Sequence, residues 1–268
     1  MNPPARPSPD RRTPLRALAA LCCTLTATLL AGCAHQAASP VAPAWQASNQ
    51  AVVVVTQDWD ANLGVLRTFE RVGGSWRQVG TPQAVTVGRN GSAWGLGLHS
   101  EALPGPVKRE GDGRSPAGVF AIGTAFGYAG SAATALAYTP MQPSSYCIDV
   151  SGSPLYNRIV DADVVGKDAV AGSTEPMRRD VHADGDERYR LGFVIEHNVQ
   201  AIPEAGSCIF AHLWKASGEA TAGCTAMDEA SMSGLLQWLR PERRPLFVLL
   251  PTKEYGALHA RWGLPAAE

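Results

Sequence analysis

The chain has 268 residues, 45% of them hydrophobic, with a formal net charge of −1. That is apolar mass enough for one domain with a proper core, and there is no excess of basic residues of the kind a nucleic-acid-binding surface needs. Six cysteines and twenty prolines make the ends of the chain and its thiols the first features to read.

Arg6, Arg11, Arg12 and Arg16 form a basic leader, and Ala17 to Leu30 follows as a short apolar run. The run is too short for a good membrane-spanning helix and ends in small residues, so it predicts a signal peptide over residues 1–32. Leu30-Ala31-Gly32-Cys33 resembles a bacterial lipobox, in which cleavage leaves Cys33 as a lipid-modified N-terminus. The alternative is an ordinary signal peptide with Cys33 incidental. By the same resemblance, Ala34 after the cysteine, in place of aspartate, favours the outer membrane over the inner one. The expectation is a periplasmic protein held to the membrane by its N-terminal lipid. The leader carries four arginines against one aspartate, so its loss takes the net charge to −4. That is a mildly acidic domain with no footprint for nucleic acid.

Residues 33–50 are mostly Ala, Ser, Pro and Gln and predict a flexible tether. Ala51-Val-Val-Val-Val55-Thr is a β-branched run expected of a buried strand. Val65 to Val72, Gly73-Gly74 and Trp76 to Val79 read as strand, tight turn and strand. Ala84 to Gly88 continues the pattern. Phe193 to His197, Cys208 to His212 and Leu246 to Leu250 are three later strands, each bounded by Pro, Gly or Asn. Only Asp228 to Leu239 predicts a helix: Asp228 caps it, Met232, Leu235, Leu236 and Leu239 share a face, and Pro241 follows. The fold class is therefore mostly β, a sandwich or barrel with one late helix. The domain is expected over 51–252, with 253–268 a C-terminal tail. Residues 166–190 are polar and strand-poor, a long surface excursion or a lid over a cleft.

Four cysteines remain beyond the leader: Cys33, Cys147, Cys208 and Cys224. With Cys33 acylated and Cys224 reserved for chemistry, Cys147 and Cys208 most simply form a disulfide in an oxidising periplasm. Two buried free thiols are the alternative. A zinc site from Cys208, His212 and Cys224 is a third reading, and it lacks a fourth ligand and a compact Cys-x-x-Cys pair. No metal and no cofactor is expected.

His212 and Cys224 stand twelve positions apart, with Thr221-Ala-Gly223 leading into the cysteine. A thiol becomes a nucleophile when a neighbour holds it as thiolate, and imidazole is the usual neighbour. Gly223 would let the backbone turn so that its N–H and that of Cys224 face an oxyanion. The helix opened by Asp228 would add its positive dipole end to the thiol. The competing reading is a core histidine and a buried cysteine joined by a surface loop.

The pattern His-x(about a dozen)-Thr-x-Gly-Cys resembles the active-site signature of the L,D-transpeptidase catalytic domain, the YkuD-like family. Lys108-Arg-Glu110-Gly-Asp112-Gly-Arg114-Ser-Pro116-Ala-Gly118-Val-Phe120 is similar to the family segment with a Ser/Thr-Pro-x-Gly-x-Phe core. Tyr146-Cys147-Ile-Asp149, Ser153-Pro-Leu-Tyr156-Asn157, Ile195-Glu-His197-Asn198 and Gly-Ser-Cys208-Ile-Phe-x-His212 look like one branch of it. The resemblance spans roughly residues 51–252. It implies exchange of peptide bonds in peptidoglycan stem peptides through a cysteine thioester, with Cys224 as nucleophile, His212 as acid/base partner and Gly223 as an oxyanion donor. His197 and Thr225 are the further candidates for substrate contact. Asp149, Tyr156 and Asn157 read equally as turn residues, and the charges from Lys108 to Arg114 as stem-peptide contacts or solvated turns. Ala222 and Met227 depart from the family, whose members often carry polar residues there, and leave the acceptor open. Two other readings stand beside transpeptidation: a carboxypeptidase or amidase that gives the same thioester to water, and a non-catalytic wall-binding lipoprotein.

Overall fold

The computed structural model describes residues 45–267. The predicted leader, the Cys33 lipobox and the tether as far as residue 44 lie outside the described residues.

The strands are β1 (Gln50–Thr56), β2 (Leu63–Val72), β3 (Ser75–Thr86), β4 (Ser92–Trp94), β5 (Ser115–Gly127), β6 (Tyr138–Pro140) and β7 (Ser145–Cys147). They continue with β8 (Ile159–Asp161), β9 (Glu175–Pro176), β10 (Leu191–Ile195), β11 (Phe210–Leu213), β12 (Thr225–Met227) and β13 (Leu246–Pro251). Between and after them lie helices α1 (Ala162–Val165), α2 (Arg179–His182), α3 (Glu229–Trp238) and α4 (Thr252–Leu258). Eight strands close into a barrel in the order β5-β10-β11-β12-β3-β2-β1-β13 and back to β5. Closure leaves these strands no free edge to pair with another chain. The expected mostly-β class holds, as a barrel and not a sandwich. A small sheet, β8-β7-β9, stands beside it.

The β-branched run of β1 lies between antiparallel β2 and parallel β13. Ala51 to Val54 have no exposed surface, as a continuous apolar run buried on both faces requires. The β2–β3 hairpin turns through Gly73 and Gly74, both at positive φ, the geometry of a two-residue turn that matches strand twist. The expected strands at 76–79 and 84–88 are one strand, β3, with a register shift opposite Leu66 to Thr68. Helix α3 begins as expected: the Asp228 side chain accepts the Ser231 N–H at 2.9 Å.

Both expected domain boundaries need correction. Trp45 is buried, packs edge-on against Trp262 at 5.6 Å, and its Nε1–H donates to the Trp262 carbonyl at 2.8 Å. The tether therefore ends before Trp45. Of the expected tail, residues 253–267 are part of the domain: α4 packs on β1 and β13, and Tyr255, Leu258, Trp262 and Leu264 join the main core. The late helix is accordingly not alone. Among the described residues no helix is long and apolar enough to cross a membrane.

Candidate active site

Strands β11 and β12 run parallel, with Ala211 opposite Thr225 and His212 opposite Ala226. Side chains alternate faces along a strand, so extending this register by one residue sets Cys224 and His212 on the same face. Both line one cavity of about 350 Å³. Cys224 is 8% exposed and His212 3%.

No hydrogen bond joins the two side chains. The Cys224 sulfur accepts the Phe210 N–H at 3.3 Å and donates to the Cys208 carbonyl at 3.5 Å. His212 Nδ1 lies 2.7 Å from the Leu213 carbonyl. A carbonyl only accepts, so Nδ1 carries the proton and Nε2 keeps a free lone pair. Burial lowers the His212 pKa to about 4 against the opposing effect of that carbonyl. Burial, followed by the charge of Glu175, raises the Cys224 thiol to about 12, and the Phe210 N–H acts the other way. The pair at rest is thus a neutral thiol and a neutral imidazole, not the thiolate expected from the sequence.

The helix dipole does not reach the thiol either, because β12 separates Cys224 from α3. What fixes Cys224 is its carbonyl, which accepts Ser115 Oγ–H at 2.9 Å and Thr221 Oγ1–H at 2.6 Å. Thr221 Oγ1 also accepts the Gly223 N–H at 3.1 Å. That amide is occupied, which corrects its expected role as an oxyanion donor. Gly223 has no positive φ. A Cβ there would meet the Arg114 carbonyl at 3.1 Å, so close approach is the reason for glycine.

Two expected substrate contacts are structural residues. His197 is 2% exposed; its Nδ1 accepts the Leu96 N–H at 3.1 Å and its Nε2–H donates to the Ala205 carbonyl at 3.0 Å. Both ring nitrogens are taken, burial holds the pKa down to about 4, and the ring lines a different cavity. Thr225 is 1% exposed within β12 and does not line the Cys224 cavity.

Cys147 and Cys208 are joined by a disulfide, which ties β7 to the approach to β11. Cys208 therefore offers no thiolate to the zinc set considered from the sequence. Its N–H donates to Asn157 Oδ1 at 2.8 Å, and Asn157 Nδ2–H reaches the His197 and Asn198 carbonyls at 2.8 and 2.9 Å. Asn157 thus clamps the segment that leads into β11 to the segment that leaves β10. Lys108 and Glu110 line the cavity. Glu110 accepts hydrogen bonds from Tyr156 and Ser207, and Lys108 pairs with Asp112 at 2.6 Å. Arg114 instead bonds the Trp59 and Ser92 carbonyls and Asp60.

The rest of the wall comes from the segment expected to be an excursion or lid. Glu175, Arg179, Arg188 and Tyr189 all line the cavity. Asp186 joins the two arginines, with Arg188 Nε at 2.8 Å and Arg179 Nε at 3.1 Å. Burial alone would raise the Asp186 pKa; hydrogen bonds from Arg188 and Arg179 outweigh it and hold the group low. Arg179 Nη1 also reaches Glu175 at 3.2 Å, and Tyr189 Oη–H donates to Glu175 at 2.7 Å. Sequence reasoning missed these four residues. The signal was a tyrosine amid alternating acids and arginines between two strands, a pattern that pairs internally when it is drawn against a core.

No family model matches the chain, and no curated protein does. Among solved structures it is similar to Bd1075 of Bdellovibrio bacteriovorus, at 12% identity and a TM-score of 0.39 over 76% of this chain and 48% of that one. It is also similar to the helical cell shape determining protein Pgp2 from Campylobacter jejuni, at 15% identity and a TM-score of 0.37 over the same shares. The chain spans about half the length of the structures it matches. At these scores the likeness establishes neither family nor activity.

Proposed function

We propose that this protein is a cysteine acyltransferase of the L,D-transpeptidase type, acting on peptidoglycan stem peptides from a lipid anchor in the periplasm. The observation that carries the reading is the placement of the Cys224 sulfur and the His212 imidazole, its Nε2 lone pair free, on one face of two parallel strands and in one cavity. The motif resemblance supplies the substrate class.

In this reading Cys224 attacks a peptide carbonyl carbon, the C–N bond breaks, and the leaving amine departs with a proton. The thioester then passes its acyl group to a second amine, and sulfur recovers a proton. Each half moves one proton, and His212 Nε2 is the imidazole atom available to carry it. Negative charge developing beside the sulfur meets the Phe210 N–H and the positive charge of Arg188. Burial that disfavours the resting thiolate also protects a thioester from water.

Incubation with purified muropeptides followed by mass spectrometry tests the reading. Cross-linked dimers or amino-acid exchange support it; trimmed monomers without dimers favour transfer to water, and unchanged muropeptides contradict both.

A further inference from the structure

A second cavity lies beside the Cys147–Cys208 disulfide. Its volume is about 440 Å³, and Cys147 stands in its wall while Cys208 stands in the wall of the Cys224 cavity. Ala125, Phe193 and Ile195 belong to the main core, and Phe126, Val194 and Glu196 alternate with them on the outer face of β5 and β10. That face forms one wall. Arg158 and Ile159, where β8 begins, form another from the side of the small sheet.

Two opposite charges line this cavity, and neither has a partner. Among the described residues no hydrogen bond or ion pair engages the Glu196 carboxylate or the Arg158 guanidinium, and the two are not paired with each other. Burial alone acts on Glu196 and raises its pKa, with no donor to offset it. The carboxylate nevertheless has a place made for it. A Cβ on residue 123 would collide with Glu196 Oε1, so Gly123 on β5 leaves the notch that this oxygen fills. The backbone is held as well, since the Glu196 N–H donates to the Ala121 carbonyl at 3.0 Å. Drawing an unpartnered carboxylate out of water costs free energy, and a cationic group on a ligand recovers it. Arg158, exposed and lining the same cavity, is free to meet an anionic group.

We propose that this cavity binds a small apolar zwitterion of the amino-acid type, its ammonium on Glu196, its carboxylate on Arg158 and its side chain against Phe126, Met141 and Ile159. The volume lies toward the small end of ligand pockets, as a ligand of amino-acid size requires. Phe210 also lines this cavity, and its N–H holds the Cys224 sulfur. The ligand therefore sits beside the candidate active site without entering it. Its binding is non-covalent and does not depend on the thioester reading.

The test is calorimetric titration of the full chain with racemic norleucine, alongside its amide, which lacks the carboxylate, and N-acetylnorleucine, which lacks the ammonium. The wild type is expected to bind norleucine with a Kd of about 1 mM or tighter. Each analogue is expected to bind about 10-fold more weakly, because one charge-assisted hydrogen bond is lost. Glu196→Gln and Gly123→Ala, checked for folding by thermal melting, should weaken norleucine binding by about 10-fold as well, the second by displacing the carboxylate. Cys224→Ala should bind norleucine as the wild type does, whether or not the protein transfers acyl groups. Loss of binding in that variant would put the ligand in the Cys224 cavity and overturn the proposal. It is also overturned if the wild type shows no binding at about 10 mM norleucine, if either analogue binds as well as norleucine, or if either folded variant at the notch binds as the wild type does.

Discussion

The Cys224 sulfur lies 3.3 Å from the Phe210 N–H, two residues before His212 on the same strand. Sulfur and imidazole are thus aligned through the β11 backbone and not through a bond to each other. Two steps along one strand and one across to its neighbour separate Cα positions by roughly 8 Å, which leaves room for a carbonyl between the side chains. Their alignment depends on whatever fixes the peptide at Cys224.

Thr221 does much of that fixing, since its hydroxyl donates to the Cys224 carbonyl at 2.6 Å and accepts the Gly223 N–H at 3.1 Å. Thr221→Val keeps the shape and removes both bonds. It should cost about 2 kcal/mol in urea unfolding and lower acylation of Cys224, while Thr221→Ser stays near wild type. Equal stability of the Val and Ser variants would show that these bonds are not what holds the peptide.

The corrected C-terminus gives a second expectation. Trp262 is 4% exposed, meets Trp45 edge-on, and its carbonyl accepts the Trp45 indole N–H. Trp262→Ala should destabilise the domain by about 3–5 kcal/mol. A loss below about 1 kcal/mol in denaturant unfolding would restore the view of residues 253–268 as a dispensable tail.

Acid should weaken the fold before most carboxylates titrate. Burial lowers both His197 and His212 to about 4, so between their unfolded value of about 6.5 and 4 the unfolded chain binds protons that the fold refuses. Stability is then full above about pH 6.5 and falls as pH drops, by roughly 3 kcal/mol per histidine at most. Asp186 and Asp228, both held low, add further loss at lower pH, while the raised Glu175 and Glu196 partly offset it. Urea unfolding at pH 7 and pH 4.5 measures the sum. Equal stabilities at the two pH values would contradict the neutral state of these rings.

The disulfide closes a long loop, with a sequence separation of 61, and chain-entropy arguments assign such a link about 4 kcal/mol. A Cys147→Ala and Cys208→Ala double variant should lose stability of that order. It should also react faster with iodoacetamide at Cys224, because Cys208 and Cys224 share one buried cluster. Unaltered melting and unaltered labelling would show that the link supports neither the fold nor the cavity.

Much of this architecture is legible from local pattern. The valines of β1, the apolar run of β13, the Gly73-Gly74 turn and the Asp228 cap each state their structure within a few residues. The His212 and Cys224 pair is legible as a motif, and so is the pairing left to Cys147 and Cys208. Barrel closure is not, because it depends on β5 meeting β10, a contact no local periodicity encodes. Tyr255, Leu258, Trp262 and Leu264 read as a tail while the partner of the apolar face their spacing carries is unknown. His197 looks like a ligand until both of its nitrogens are seen to be occupied. Glu175, Arg179, Arg188 and Tyr189 escape detection for a related reason: a charged segment reads as solvated unless its charges are known to face one another.

The central claim is that the Cys224 sulfur carries the acyl group, and one comparison tests it most directly. Wild type and Cys224→Ala, matched for secondary structure and melting temperature, are incubated with the same purified muropeptides, and the products are read by mass spectrometry. The account predicts cross-linked or amine-exchanged products with the wild type and none with Cys224→Ala. Equal product from both proteins would contradict it.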